Sequence, residues 1–298
     1  MGKLVFIYSI YLSLLIQIIY AEIKTPAIVS FNMDLQSKPA FAHDEWINSI
    51  ECKEGMKEEC FDKLNASKDW GLKFEDECTN DWTQNWTLDG LISTVENTEK
   101  GMHFSGGPEY KNDAHHAVLW TKESFKGDVK IEYDYTRTDS ETKCVNILYI
   151  QATGIGKGPY KKDISKWKKL REIPTMSTYF ENMNALHISY AAFVNSADTT
   201  FYTRSRRYPK LPHHRSFDET KISPSYNNEG YFKTGETYHI TVIKTKNQLL
   251  FKMEGKEGSK LFSWDLSKID PVTEGRIGLR HMYTRSAIYR NFKIYTKK

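Results

Sequence analysis

The sequence predicts an all-β protein, a sandwich of jelly-roll type preceded by a short N-terminal extension. Three observations carry this. From Thr83 onward the chain reads as about a dozen short runs, most alternating apolar and polar residues as in VKIEYDY and HITVIK, the period of a half-buried strand. The joins between runs are rich in turn residues, as expected of antiparallel strands in two packed sheets. The stretch KTKNQLLFKMEGKEGSKLFSW reads as successive hairpins turning near Asn247 and Gly255.

The chain opens with MGKLVFIYSIYLSLLIQIIYAEIKTP: one basic residue, Lys3, an apolar run broken only by Ser and Gln, then the small residue Ala21. That is the layout of a secretory signal peptide, residues 1–21, cleaved after Ala21. The run approaches the length of a membrane span, but no basic stop-transfer cluster follows it, which favours cleavage. An exported protein is expected, periplasmic or secreted, with no membrane attachment after cleavage. Residues 22–80 are more polar and hold a helix candidate, HDEWINSIECKEGMKEECFDKLN. They read as an extension clipped to the sandwich by cysteines, with the jelly-roll catalytic domain at residues 81–298. Cys52, Cys60 and Cys78 crowd this region; four cysteines permit three pairings, and export permits a disulfide here. Cys144, in TKCVNILYIQA, is expected as a buried thiol. The spacing of Cys52 and Cys60 fits no zinc pattern. NAS at Asn65 and NWT at Asn85 match the glycosylation sequon.

The strand runs begin with NWTLDG, LISTVEN, KGMHFSG, HAVLWTK, DVKIEYDYTRT and CVNILYIQAT. They continue with NALHISYAAFVN, TTFYTRSRR, YHITVIKTKNQLLFKMEG, KLFSWDL, GRIGLRHM and AIYRNFKIYTK. Residues 156–182, GKGPYKKDISKWKKLREIPTMSTYFEN, interrupt them with a long, basic, aromatic loop. Loops of that length are often functional lids, here over an anionic substrate; the alternative for its lysines is a solvated face.

A formal charge of +4 is too weakly basic for nucleic-acid binding, where Lys and Arg would dominate. Aromatic residues make up 13% of the chain, and in an exported, charge-balanced β protein their faces suit stacking on sugar rings. Between Asn184 and Pro209, alternation puts His187, Ser189 and Phe193 on one side of a strand and Leu186, Ile188 and Tyr190 on the other. His187 and Tyr190 share a face only if a bulge intervenes. Next door Arg204 and Arg206 share a face, a pairing that can grip a carboxylate or sulfate. NDAHHAVLW offers His115 and His116, and GLRHMYTRS offers Arg280, His281, Tyr283 and Arg285. No Ser-His-Asp motif, Gly-rich phosphate loop or HExxH occurs, and GIGKG lacks the context of a nucleotide loop. The lack of paired carboxylates on a strand counts against a retaining glycosidase. No metal or cofactor is expected, a structural calcium being the exception that such jelly rolls often hold.

Tyr, His and Arg without an acid pair suit β-elimination beside a uronic acid carboxylate. Cations neutralise the carboxylate, a base takes the C5 proton, and a second group protonates the oxygen leaving C4. A glycosidic leaving oxygen makes the enzyme a polysaccharide lyase; a free hydroxyl makes it a dehydratase.

MNALHISYA, HHAVLW and the ending GRIGLRHMYTRSAIYRNFKIY together resemble a bacterial family of formerly unknown function. Its members have a concanavalin-A-like jelly-roll fold and lie beside genes for degrading uronic-acid polysaccharides such as rhamnogalacturonan and ulvan. The resemblance covers roughly residues 80–298. The family's Asn and His-x-Ser-Tyr fall on Asn184, His187, Ser189 and Tyr190, its His before an apolar strand on His116, and the Arg of G-x-I-G-x-R on Arg280. The resemblance implies a carbon–oxygen lyase on anionic, ulvan-type oligosaccharides; the long 156–182 loop, able to close one end of the groove, inclines the reading to dehydratase over chain-cleaving lyase. Tyr190 or His187 would be the base and His116 its partner or the acid. Arg204, Arg206 and Arg280 would bind carboxylate or sulfate, with Asn184 and Tyr208 as further substrate contacts. The rivals are a non-catalytic carbohydrate-binding module and a glycoside hydrolase.

Overall fold

The computed structural model describes residues 55–193, 201–228 and 231–297. The expected signal peptide and the first part of the extension, Cys52 included, lie outside the described residues. The first half of the chain forms α1 (Lys57–Asn65), β1 (Trp70–Asp76), β2 (Trp86–Asp89), β3 (Thr94–Thr98), β4 (Gly101–Ser105), β5 (Ala117–Thr121), β6 (Phe125–Lys126), β7 (Val129–Arg137) and β8 (Asn146–Gly154). The second half forms α2 (Met176–Asn182), β9 (Met183–Phe193), β10 (Phe201–Tyr208), β11 (Lys221–Asn227), β12 (Thr237–Lys244), β13 (Gln248–Gly255), β14 (Gly258–Asp265), β15 (Glu274–His281) and β16 (Ser286–Lys297).

These strands make the expected jelly roll of two antiparallel sheets. One runs β14-β13-β12-β7-β16-β4-β3 with β1 added against β16; the other runs β11-β10-β9-β8-β15-β5-β2 with β6 against β15. Alternation explains the first sheet. In β7, Val129, Ile131, Tyr133 and Tyr135 are buried between the sheets, while Glu132 and Asp134 lie on its other side. Leu148, Ile150, Leu186, Ile188, Ile277 and Leu279 meet them from the second sheet.

The middle of the second sheet is covered on both faces. Its outer side carries Val118, Trp120, Ile147, Tyr149 and Ala185, which pack against Ile164, Trp167 and Tyr179 of the 156–182 segment. This is why HAVLW and ILYIQA read as continuous apolar runs, as strands covered on both faces do. The hairpins between β12, β13 and β14 turn where expected, around Asn247 and Gly255.

The sandwich starts earlier than residue 81. β1 pairs along β16 from Trp70 opposite Lys297 to Asp76 opposite Phe292, which makes it a sheet strand and not part of an appendage. The helix candidate is realised in part as α1, whose Cys60, Phe61 and Leu64 pack on Ile243 and Leu250 of the first sheet. Cys60 is disulfide-bonded. Cys78 and Cys144 are buried thiols, so Cys78 takes no part in a clip. β11, KISPSYN, is not among the runs read from sequence; it is an edge strand whose Pro224 sits in the irregular stretch between the Ile222 and Tyr226 pairs, where a proline is tolerated.

The ending G-x-I-G-x-R has a steric reason. Gly275 adopts φ +143°, and a Cβ there would collide with the Gln151 backbone. A Cβ on Gly278 would collide with the Trp120 indole. Replacing Gly278 by Ala should therefore lower stability by about 1–3 kcal/mol, read as a drop in urea midpoint. An unchanged midpoint would mean that Trp120 can shift without cost.

Candidate functional site

The outer face of the second sheet carries the predicted chemistry. The β9–β10 register sets Ser189 opposite Arg204, His187 opposite Arg206 and Ala185 opposite Tyr208, so these side chains share one face. They border a cleft of about 380 Å³ lined by His187, Ser189, Arg204 and Arg206 on its polar side and by Met176, Phe180, Tyr202 and Phe217 on its apolar side.

His187 lies at its floor, 2% exposed. Its Nδ1 is 2.8 Å from Tyr208 Oη and its Nε2 is 2.6 Å from Ser189 Oγ. Burial, reinforced by the charges of Arg206, Arg280 and Arg204, holds its pKa well below the ordinary histidine range, so the imidazole is neutral. Tyr208 is fully buried, its phenol kept well above the usual range chiefly by that burial. It positions His187 without lining the cleft.

The two arginines differ. Arg206 Nη1 donates to Phe217 O at 2.8 Å and Thr220 Oγ1 at 3.0 Å, Nη2 donates to Asp218 Oδ1 at 3.2 Å, and the guanidinium lies 3.9 Å over the Phe217 ring. Both of its terminal nitrogens are engaged on the wall of the cleft. Arg204 donates through Nε to Ser225 Oγ at 2.9 Å and lies 4.4 Å over Tyr202, but meets no carboxylate among the described residues. Its remaining donors can take an anion.

Other expected residues are placed elsewhere. Tyr190 points into the core between the sheets, its Oη 3.4 Å from Tyr289 Oη and its ring against Tyr135, Phe232 and Phe251. Burial pushes its phenol up to about 12. The bulge that would have joined it to His187 falls later, where Ala191 takes φ +44°. Asn184 also misses the cleft, accepting a 2.6 Å bond from Arg207 Nη2. His116 and Arg280 form a separate, fully buried group, with Arg280 Nη2 donating to His116 Nδ1 at 2.6 Å and to Pro174 O. Burial, then Arg280, lowers the His116 pKa to about 3. Neither residue lines the cleft.

Asp89 is the residue that sequence reasoning missed. Only 2% exposed, its Oδ2 accepts from Arg171 Nε at 2.6 Å, Trp120 Nε1 at 2.7 Å and Tyr179 Oη at 3.0 Å. It latches the 156–182 segment onto the sheet, and that segment lends Met176 and Phe180 to the cleft. Its sequence context, Asp-Gly after a strand, signals only a turn. Among the described residues no group of three His, Cys, Asp or Glu could hold a metal ion, and no helix is long and apolar enough to cross a membrane.

Fold and site together define a two-sheet jelly-roll domain with a cationic, aromatic cleft on the outer face of one sheet. The chain belongs to the family described as domain of unknown function DUF1961, whose pattern matches residues 75–294. It is similar to the uncharacterized protein YesU of Bacillus subtilis (strain 168), at 25% identity over 215 residues covering 71% of this chain and 89% of that one. A crystal structure of a protein of unknown function with a galectin-like fold, also from Bacillus subtilis, matches with a TM-score of 0.56 at 20% identity, covering 78% of this chain and 99% of the other.

Exchanging Asp89 for Asn leaves the Arg171 charge buried without its partner, and about 3–5 kcal/mol of stability should be lost; calorimetry of the variant checks this. A pH effect should also appear. His116 and His281 have pKa values lowered to about 3, and that of His187 is lowered as well. The unfolded chain protonates them near the ordinary value of about 6.5. Their contribution is complete above that pH and is lost as pH falls, by up to about 1.4 kcal/mol per pH unit for each histidine. Urea midpoints should therefore decline steadily on acidification, less steeply in His281→Gln.

Proposed function

We propose that this protein is an exported carbohydrate-active carbon–oxygen lyase that performs β-elimination at a uronic acid residue held in the outer cleft. The observation that carries this is the pairing of a neutral buried imidazole, His187, with the half-engaged guanidinium of Arg204 across one strand pair. A carboxylate gripped by Arg204 loses much of its charge, which makes the neighbouring C5 proton more acidic. The same carboxylate offsets the arginine charges that add to burial in keeping His187 neutral, so the imidazole becomes a better base once substrate is bound. Phe180, Tyr202 and Phe217 supply faces for the sugar ring.

The resemblance to a family beside uronic-acid degradation genes supports anionic, ulvan-type oligosaccharides as substrates. The latched 156–182 segment walls one side of the cleft, which favours short chains and loss of water from a non-reducing-end uronate over chain cleavage. The N-terminal signal pattern supports export to the periplasm or beyond. One observation favours a binding-only module: both ring nitrogens of His187 are hydrogen-bonded within the protein.

The test is near-ultraviolet absorbance of uronic-acid oligosaccharides incubated with the protein, with products sized by mass spectrometry. A rise with loss of one water from an intact chain marks a dehydratase; a rise with shorter chains marks a lyase. His187→Gln should cost about 100-fold or more in turnover, whereas Tyr190→Phe, confined to the core, should keep it. Saturable binding without product would select the binding module, and neither binding nor product would sink both. Because the His187 pKa is depressed, the acid limb of kcat/KM for free enzyme should lie below about pH 6.5.

A further inference from the structure

Resting on that elimination chemistry, we propose that Ser189 is the catalytic residue that returns the proton to the leaving oxygen. The elimination is then syn, and the substrate is a glucuronate-type residue whose C5 hydrogen and C4 oxygen lie on one face of the ring. His187 and Ser189 stand two residues apart on β9, both lining the cleft, with Nε2 and Oγ 2.6 Å apart. Arg204 lies directly across from Ser189 on β10. The base, the hydroxyl and the carboxylate-binding cation therefore reach a bound sugar from the same side. His116, expected from sequence as the base's partner or the acid, lies outside the cleft. Tyr202 lines it, but the hydrogen bonds of His187 go to Tyr208 and Ser189.

The tautomer that serves this chemistry carries its proton on Nδ1, donated to Tyr208 Oη, and leaves Nε2 accepting from Ser189 Oγ; with substrate bound the Ser189 hydroxyl turns to the leaving oxygen and frees the Nε2 lone pair for C5. Nε2 takes the proton from C5, the C5–H electron pair forms the C4=C5 double bond, and the C4–O bond breaks. The imidazolium then gives its Nε2 proton to Ser189 Oγ while the Ser189 hydroxyl proton passes to the leaving oxygen. Water or a sugar hydroxyl departs. His187 ends neutral, Ser189 ends as a hydroxyl, and no further reactant is consumed. Such a one-sided relay reaches C5 and the C4 oxygen together only where the two are cis, as in glucuronate. Galacturonate and iduronate set them on opposite faces.

The experiment incubates oligosaccharides ending in glucuronate, galacturonate or iduronate in D2O with the wild type, Ser189→Ala and His187→Gln. It follows the double bond by absorbance and deuterium at C5 of recovered substrate by mass spectrometry. Expected are turnover of glucuronate alone by the wild type, and elimination slowed by about 100-fold or more in Ser189→Ala. That variant should still exchange C5 hydrogen, which also shows its site is intact, whereas His187→Gln should do neither. Ser189→Ala eliminating at the wild-type rate would overturn the relay, as would loss of both elimination and exchange, which would make Ser189 only a support for His187. Wild-type preference for galacturonate or iduronate would overturn the syn geometry. Wild-type inactivity on all three would bring down the elimination chemistry itself and the relay with it, an outcome distinct from normal turnover that ignores Ser189.

Discussion

One buried carboxylate decides which part of the second sheet is covered and which part is open. Asp89, at the end of β2, gathers donors from Trp120 on β5, from Arg171 in the 156–182 segment and from Tyr179 on α2. A lone carboxylate in such surroundings would be costly, and the opposed guanidinium with two neutral donors offsets that cost. With the segment clamped there, its Tyr179 stacks in nearly parallel planes with Trp120 and Tyr149 of the sheet. The remaining outer surface, over β9 and β10, is left as the cleft.

The cleft itself depends on register. The pairing of β9 with β10 sets polar groups two by two across the strands, and a bulge between Tyr202 and Arg204 keeps the later pairs in step. Moving β9 by one residue would turn His187 and Ser189 into the core and bring Ile188 and Tyr190 out. The core side guards against that slip, because Tyr190 belongs to a cluster of buried tyrosines with Tyr135 and Tyr289 that has hydrogen-bonding needs of its own.

The fold was legible because alternation is local: each strand announces its buried face without knowledge of its partner. The same reasoning placed His187, Ser189, Arg204 and Arg206 on common faces, and it set Tyr190 on the opposite one unless a bulge intervened. What it could not supply was depth and neighbourhood. His116 and Arg280 look like site residues in a linear reading, but the 156–182 segment folds over them, and that burial depends on contacts between distant residues. Asp89 was invisible for the same reason, since its partners come from positions up to ninety residues away in sequence. β1 was missed because WGLKFED buries only Phe74 and Asp76, too little to show an apolar face.

That last pairing has a consequence for how the domain can be attached to anything else. Trp70 lies opposite Lys297, so the two ends of the sandwich emerge side by side from the first sheet. The cleft belongs to the other layer. A tether or fused module joined beyond Lys297 would start from the layer that does not carry the cleft.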